Sequence, residues 1–381
     1  MKIDFKYIAS FLVVVLLLLG VVVLSGDYVE YRRNYKDFQA YMAEKEQSEE
    51  NQNGQLGESD VIVPDTESTE HVLPSEAIEQ EETNPVVPGE VLAGSHAITD
   101  VSGNVLWQAD SLTQEEVDTI RGYVAERKEV YGWENSYEKT LRINELDKLI
   151  LGAADCSFPN IQITFVGDSI TEGIGGNTDG SGKYISYVNY VQDALNFGMV
   201  LNNGKGGRMI ADYTGDRTYA IAMDQDQLFN VNSQIIVIYA GLNDYLTSLE
   251  KKDFGTLDAG STAGYCGQLQ SLMNYLGKYY TSTDFFIVTA YPASAVDEST
   301  EVVGFAGGRP GLNDYMEQQR VLAARNGFHI IELYNIGFMD ANDPQVAANL
   351  MYDSIHPNDG GYQILGDHIA AEILLYYLGI Q

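Results

Sequence analysis

The sequence predicts an α/β protein: a three-layer α/β/α sandwich on a five-stranded parallel sheet, preceded by a single membrane helix and an acidic linker. Three observations lead there. Five short apolar runs rich in β-branched and aromatic residues, Ile161–Val166, Met199–Asn202, Gln234–Ala240, Asp284–Tyr291 and His329–Tyr334, read as buried strands. Helical patterns separate most of them, notably Thr262–Tyr279, Leu312–Asn326 and Gly361–Leu378, and such alternation argues for a parallel sheet covered on both faces. With 381 residues, 45% of them hydrophobic, the chain can bury a sizeable core.

Taken in order, the chain falls into four parts. Residues 1–26 hold a short head with Lys2 and Lys6, then 20 uncharged residues from Tyr7 to Gly26. At about 1.5 Å per residue such a helix spans roughly 30 Å, a bilayer core. A cleaved signal peptide is the competing reading, since Val23-Leu24-Ser25 suits a small-residue cleavage site. The apolar run is longer than the usual ~7–15 residues, which favours an uncleaved signal-anchor. The bulk of the chain is then expected outside the membrane, although Arg32, Arg33 and Lys36 weaken the charge bias. Residues 27–97 read as a tether. Tyr28–Glu50 could form a short polar helix; beyond it the composition is Glu-, Gln-, Asn-, Ser- and Pro-rich without apolar period. Such a segment cannot offset its ordering entropy by burial, so it is expected to be disordered, with a span of about 35–40 Å over roughly 45 residues.

Residues 98–157 read as a helical flank. Thr113-Gln114-Glu115-Glu116 has the form of a capping box, with Val117, Ile120 and Val124 on one helical face. A second helix is expected over Tyr137–Leu151, with Leu141, Leu146 and Ile150. The two pack on the following domain in this reading; a separate small binding module is the alternative. Residues 158–381 hold the strands. A glycine-rich loop, Gly173–Gly182, follows the first of them and should lie beside Ser169. It fails as a phosphate loop, because Asn177 occupies a required glycine position, and Asn202–Gly207 fails the dinucleotide pattern at Met209. Tyr184, Tyr187, Val188, Val191 and Leu195 recur at helical spacing and read as core.

Charge and cysteine content narrow the partners. Net charge is −33, and residues 41–90 alone carry 14 acidic residues against one basic. A surface of that sign repels phosphate backbones, which argues against nucleic acid. Cys156 and Cys266 are the two cysteines, with no CxxC and no metal-type spacing; buried thiols are the favoured reading, and a disulfide is allowed in an exported domain.

The chemistry gathers at strand ends. Gly167-Asp168 turns the backbone after the first strand and puts Ser169 at the carboxyl edge of the sheet, where open α/β sheets bind ligands. Asp168 is expected to fix that turn by a hydrogen bond rather than act as a second acid. No G-x-S-x-G elbow and no H-E-x-x-H occur. A serine nucleophile needs a base, and of five histidines His71 and His96 fall in or beside the tether, His329 opens a strand and His368 lies inside the last helix. His356 instead sits on a loop, three residues after Asp353 and just before Pro357, which disfavours helix there. Such a turn can carry the Asp353 carboxylate to Nδ1 and leave Nε2 free for the Ser169 proton.

Four blocks in order, Gly167-Asp168-Ser169, Asn202–Gly207, Gly241-Leu242-Asn243-Asp244 and Asp353-x-x-His356-Pro357-Asn358, resemble those of the SGNH hydrolases, the GDSL esterases and lipases, from about Ile161 to the C-terminus. The resemblance implies a flavodoxin-like fold and a serine ester hydrolase with Ser169, Asp353 and His356 as catalytic residues. It also implies an oxyanion hole from the Ser169 and Gly207 N–H groups and the Asn243 side chain, with Gly204 as the alternative glycine, and neither cofactor nor metal. Lys205 and Arg208 depart from what a lipid site would want, since they put basic groups around the second block. With no lid recognisable, the expected substrate is an O-acyl ester, most simply acetyl, on extracellular carbohydrate. Tyrosines could supply sugar-stacking surfaces. An insertion, Ala293–Arg309, is expected at the pocket rim, with Arg309 as a substrate contact. Acyl transfer to a cell-surface glycan and non-catalytic glycan binding are the alternatives. Hydrolysis through His356 should quicken as pH rises and that ring gives up its proton.

Overall fold

A computed structural model describes Leu92 and residues 94–380, apart from residues 111, 248–253, 256, 258–261 and 295–309. The membrane segment, the tether apart from Leu92 and residues 94–97, and residues 295–309 of the Ala293–Arg309 insertion, Arg309 among them, lie outside the described residues. Among the described residues no helix is long and apolar enough to cross a membrane.

The sheet contains β3 (Gln162–Gly167), β4 (Met199–Gly204), β5 (Ile235–Tyr239), β6 (Asp284–Val288) and β7 (His329–Ile331), all parallel in the order β4-β3-β5-β6-β7. All five expected strands are present. Two are cut short: β6 ends at Val288 and β7 at Ile331, beyond which Thr289 Oγ1 accepts hydrogen bonds from the Leu333 and Tyr334 N–H groups in place of the ladder. In β5 every residue is buried, so this strand is the centre of the core. The reversal of strand order occurs at β3, whose two neighbours run on to separate loops at the same edge, the place where open α/β sheets bind ligands.

Ahead of the sheet, β1 (Ile98–Thr99) and β2 (Val105–Trp107) form a small antiparallel pair that the sequence reading did not include. Then come α1 (Gln114–Val130) and α2 (Ser136–Ala154). The capping box at Thr113 is present: Glu116 N–H donates to the Thr113 side chain and Thr113 N–H to Glu116. The remaining helices are α3 (Ser169–Glu172), α4 (Tyr187–Leu195), α5 (Gln225–Leu228), α6 (Leu242–Thr247), α7 (Gly264–Tyr279), α8 (Leu312–Asn326), α9 (Pro344–Leu350) and α10 (Asp359–Leu378). Helix α10 is buried along nearly its whole length, packing on α4 and on α2. The tyrosine stripe resolves as expected for Tyr187, Val188, Val191 and Leu195, which are core; Tyr184 precedes the helix.

A buried ionic cluster joins the flank to α10. The Asp147 carboxylate receives Arg127 Nη1 at 2.5 Å and His368 Nδ1 at 2.8 Å, and Arg127 also bonds Glu372. Burial alone would raise the Asp147 carboxyl, but His368 and Arg127 hold it below its ordinary value. His368 is therefore engaged in packing α2 against α10, with Phe338 stacked on its ring. Cys156 and Cys266 are both free thiols, and burial pushes them up to about 11 and about 12.

Candidate active site

Register places the site. Gly167 at the end of β3 aligns with Gly204 at the end of β4 and with Tyr239 at the end of β5, so the three following loops leave the sheet side by side. Ser169 opens α3, a single turn capped by Asp168, whose Oδ1 accepts the Ile170 N–H at 2.9 Å. Asp168 thus fixes the turn as expected, and burial pushes its carboxyl up to about 6. The fourth loop comes from far along the chain: residues 352–357 turn back between α9 and α10, closed by Tyr352 N–H to the His356 carbonyl at 2.8 Å.

That turn delivers the base. His356 Nε2 lies 2.9 Å from Ser169 Oγ, and His356 Nδ1 lies 2.8 Å from Asp353 Oδ2. The other Asp353 oxygen accepts the backbone N–H groups of Ile355 and His356, so the carboxylate organises its own turn before it orients the ring. Burial would raise the Asp353 carboxyl, but the His356 ring and these amides hold it below the usual carboxylate range. Ser169 and His356 are buried to 4% and 6% exposure, so their hydrogen bond is shielded from water. From beneath, the fully buried Tyr291 donates to the Ile355 carbonyl at 2.5 Å and Tyr362 to the Ile174 carbonyl at 2.7 Å.

The loop after β4 is pinned peptide by peptide. Gly204 N–H goes to Asn202 Oδ1, Lys205 N–H to the Gly167 carbonyl, Gly206 N–H to Glu172 Oε2 and Arg208 N–H to the Lys205 carbonyl. Met209 N–H goes to the Tyr219 carbonyl, and the Ile210 and Ala211 N–H groups to the two oxygens of Asp244, both at 2.8 Å. Among the described residues the Gly207 N–H alone in this run has no acceptor. Gly207 takes φ +72°, a left-handed conformation natural to glycine. The Gly204 amide is already engaged and is not available as the alternative donor.

Asn243, in α6, donates one side-chain N–H to the Arg208 carbonyl at 3.1 Å and keeps its second donor. Its neighbour Asp244, to which the sequence reading gave no role of its own, is fully buried. It ties the third block to the second, and burial pushes its carboxyl up to about 7 against the lowering effect of the two amides. The basic groups also prove different from expectation. Arg208 is buried and its guanidinium bonds the carbonyls of Asn203 and Thr218, so it braces the loop from within. Lys205 lies over the Tyr219 ring at 3.7 Å and donates to Thr218. No cluster that could hold a metal occurs among the described residues.

The profile of the GDSL-like lipase/acylhydrolase family matches residues 165–364, more than half of the chain and every residue just described. The chain belongs to that family. It is a serine ester hydrolase, and it has the three-layer α/β architecture with a five-stranded parallel sheet. No curated protein matches it. Among solved structures, it is similar to a protein from Lactobacillus plantarum at 19% identity and TM-score 0.43, over 57% of this chain and 97% of the other. It is also similar to a possible lipase from Chitinophaga pinensis at 14% identity and TM-score 0.41, over 58% and 100%. A catalytic mutant of an acetylxylan esterase from Geobacillus stearothermophilus aligns at 17% identity and TM-score 0.37, over 59% and 96%.

Proposed function

We propose that this acylhydrolase removes O-acyl groups, acetyl above all, from carbohydrate outside the membrane, through an acyl-enzyme on Ser169. The observation that carries the mechanism is the hydrogen-bonded line from Asp353 through His356 to Ser169, with the N–H of Gly207 left open in the loop that leaves the same sheet edge. With the Asp353 carboxylate accepting from Nδ1–H, Nε2 carries the lone pair that takes the Ser169 proton. Oγ attacks the ester carbonyl, and the oxygen that becomes negative is received by the N–H groups of Ser169 and Gly207 and the second N–H of Asn243. The imidazolium then protonates the sugar oxygen as its bond to the acyl carbon breaks, so that it leaves as a hydroxyl, and water repeats the sequence to release the acid.

Two features support a sugar ester. Tyr352 is 68% exposed and starts the turn that ends at His356, so an aromatic ring stands at the mouth where a pyranose face could rest. The loops after β3 and β4 also carry polar networks: the Asn177 N–H donates to Asp359, Asp179 accepts from Ser181 and Lys183, and Asp216 accepts from Thr218. Arg309 is proposed as a contact from the insertion. The deciding experiment is turnover of p-nitrophenyl acetate and acetylated oligosaccharides by the full chain and by Ser169→Ala, following free acetate against acylated acceptor. Loss of acetate release in Ser169→Ala, by about 10³-fold or more, is expected. Equal turnover by that variant refutes the nucleophile, and acylated acceptor without acetate replaces hydrolysis by transfer.

A further inference from the structure

We infer that Glu172 is a positioning residue for the oxyanion hole, holding the Gly206 peptide so that the Gly207 N–H points at the reacting oxygen. The inference rests on the proposed role of Gly207. Its starting point is a close approach: Gly204 has no Cβ, and one built there would stand 2.3 Å from the Glu172 N and 2.5 Å from the Thr171 carbonyl carbon. The end of β4 therefore lies directly on the backbone of α3, the turn that carries the nucleophile. Asn202 Nδ2 fastens the contact by donating to the Thr171 carbonyl at 2.8 Å.

From that position the Glu172 side chain reaches the loop one residue before the open amide. Its Oε2 accepts the Gly206 N–H at 2.6 Å. Gly206 is buried, so without the carboxylate its N–H would have to find another acceptor. The nearest way to do so is to rotate the Lys205–Gly206 peptide. Such a rotation moves Gly207, whose N–H has no other restraint in the described structure. The same α3 turn thus carries Ser169 at its start and Glu172 at its end, and couples the attacking oxygen to the placement of the group that stabilises the product of attack. The dependence is geometric: Glu172 acts through the Gly206 peptide.

Three variants of the full chain separate the possibilities, with p-nitrophenyl acetate as substrate and Ser169→Ala alongside. In Glu172→Gln the amide oxygen still accepts, so kcat stays within about threefold of wild type. In Glu172→Asp the carboxylate is one methylene short of Gly206, and in Glu172→Ala it is gone. Both should lose about ten- to a hundredfold in kcat, less than the ~10²–10³ for deleting a donor outright, with KM within about twofold. Inhibition by phenylboronic acid, which forms a tetrahedral adduct on serine, should weaken in step with kcat in the same two variants. A melting temperature close to wild type in Glu172→Asp shows that lost folding is not the cause. Unchanged kcat in both Glu172→Asp and Glu172→Ala overturns the inference, and so does a Glu172→Gln variant as slow as Glu172→Ala. If Ser169→Ala turns over at the wild-type rate, the catalytic reading itself has failed.

Discussion

Replacing Asn243 with alanine tests the oxyanion hole from the side that is held by a side chain. The amide has two N–H groups, and one is committed to the Arg208 carbonyl at 3.1 Å. Truncation removes the other from the developing oxyanion, at a cost of about 2.7–4 kcal/mol, or ~10²–10³ in kcat. It also leaves the Arg208 carbonyl without that donor, worth ~0.5–1.5 kcal/mol of stability. That second loss is small against the roughly 5–15 kcal/mol of a typical domain, so the variant should remain folded. Asn243→Asp sharpens the test, because a carboxylate offers no donor and places negative charge where negative charge develops; it should be slower than the alanine. The assay is kcat and KM on p-nitrophenyl acetate, with a thermal melt on each variant. A kcat within threefold of wild type in both, or an effect confined to KM, refutes the assignment of Asn243 to the transition state.

Three further outcomes follow from the structure. Tyr352→Ala should raise KM for an acetylated oligosaccharide about fivefold, equivalent to ~1 kcal/mol, and leave p-nitrophenyl acetate kinetics unchanged; equal effects on both substrates would remove the stacking argument. Asp147→Ala strips Arg127 and His368 of their buried partner and should cost about 3–5 kcal/mol in urea unfolding, with kcat per folded molecule unaltered; loss of kcat in the folded fraction would show coupling to the site. His329 is held to about 4, chiefly by burial and also by His96, so its folded value lies below the unfolded one. Between about pH 6.5 and 4 the unfolded chain then binds the extra proton, and stability falls as pH falls. Allowing for its partial exposure, that slope is worth about 1–2 kcal/mol. His329→Phe, which keeps the ring on Tyr376, should flatten the difference between melts at pH 7.5 and 4.5, and an unchanged slope would refute it.

What could be read beforehand divides along a physical line. Strand positions were legible because a doubly covered parallel strand must be apolar throughout: Ile235–Tyr239 could be little else. The turn at Asp353 and His356 was legible because both partners lie within four residues, so a local loop suffices to bring them together. Glu172, Asp244 and Arg208 were not, since each acts on a peptide group that becomes needy only after the strands are in register. No spacing rule links Asp244 to Ile210 and Ala211; the link exists because β3 lies between β4 and β5 and sends both flanking loops to one edge. Arg208 misled for a related reason. An arginine just after two glycines reads as exposed charge, whereas here its guanidinium meets loop carbonyls at Asn203 and Thr218. The β1–β2 pair escaped notice because two- and three-residue strands are too short to show a period.

The described chain enters at the opposite edge of the sheet from Ser169. His96 N–H donates to the Tyr377 carbonyl, its ring stacks on Tyr376 at 4.5 Å, and Gly94 lies against Gly379 at the end of α10. The Tyr376 ring in turn contacts His329 in a tilted arrangement, and Tyr377 donates to Asp284 at 2.8 Å. His329 and Asp284 are the first residues of β7 and β6, and in a parallel sheet the first residues mark the amino edge. Ser169, Gly207 and Asn243 all follow carboxyl ends. The first described residues therefore lie at the amino edge of the sheet, a strand's length away from the catalytic loops.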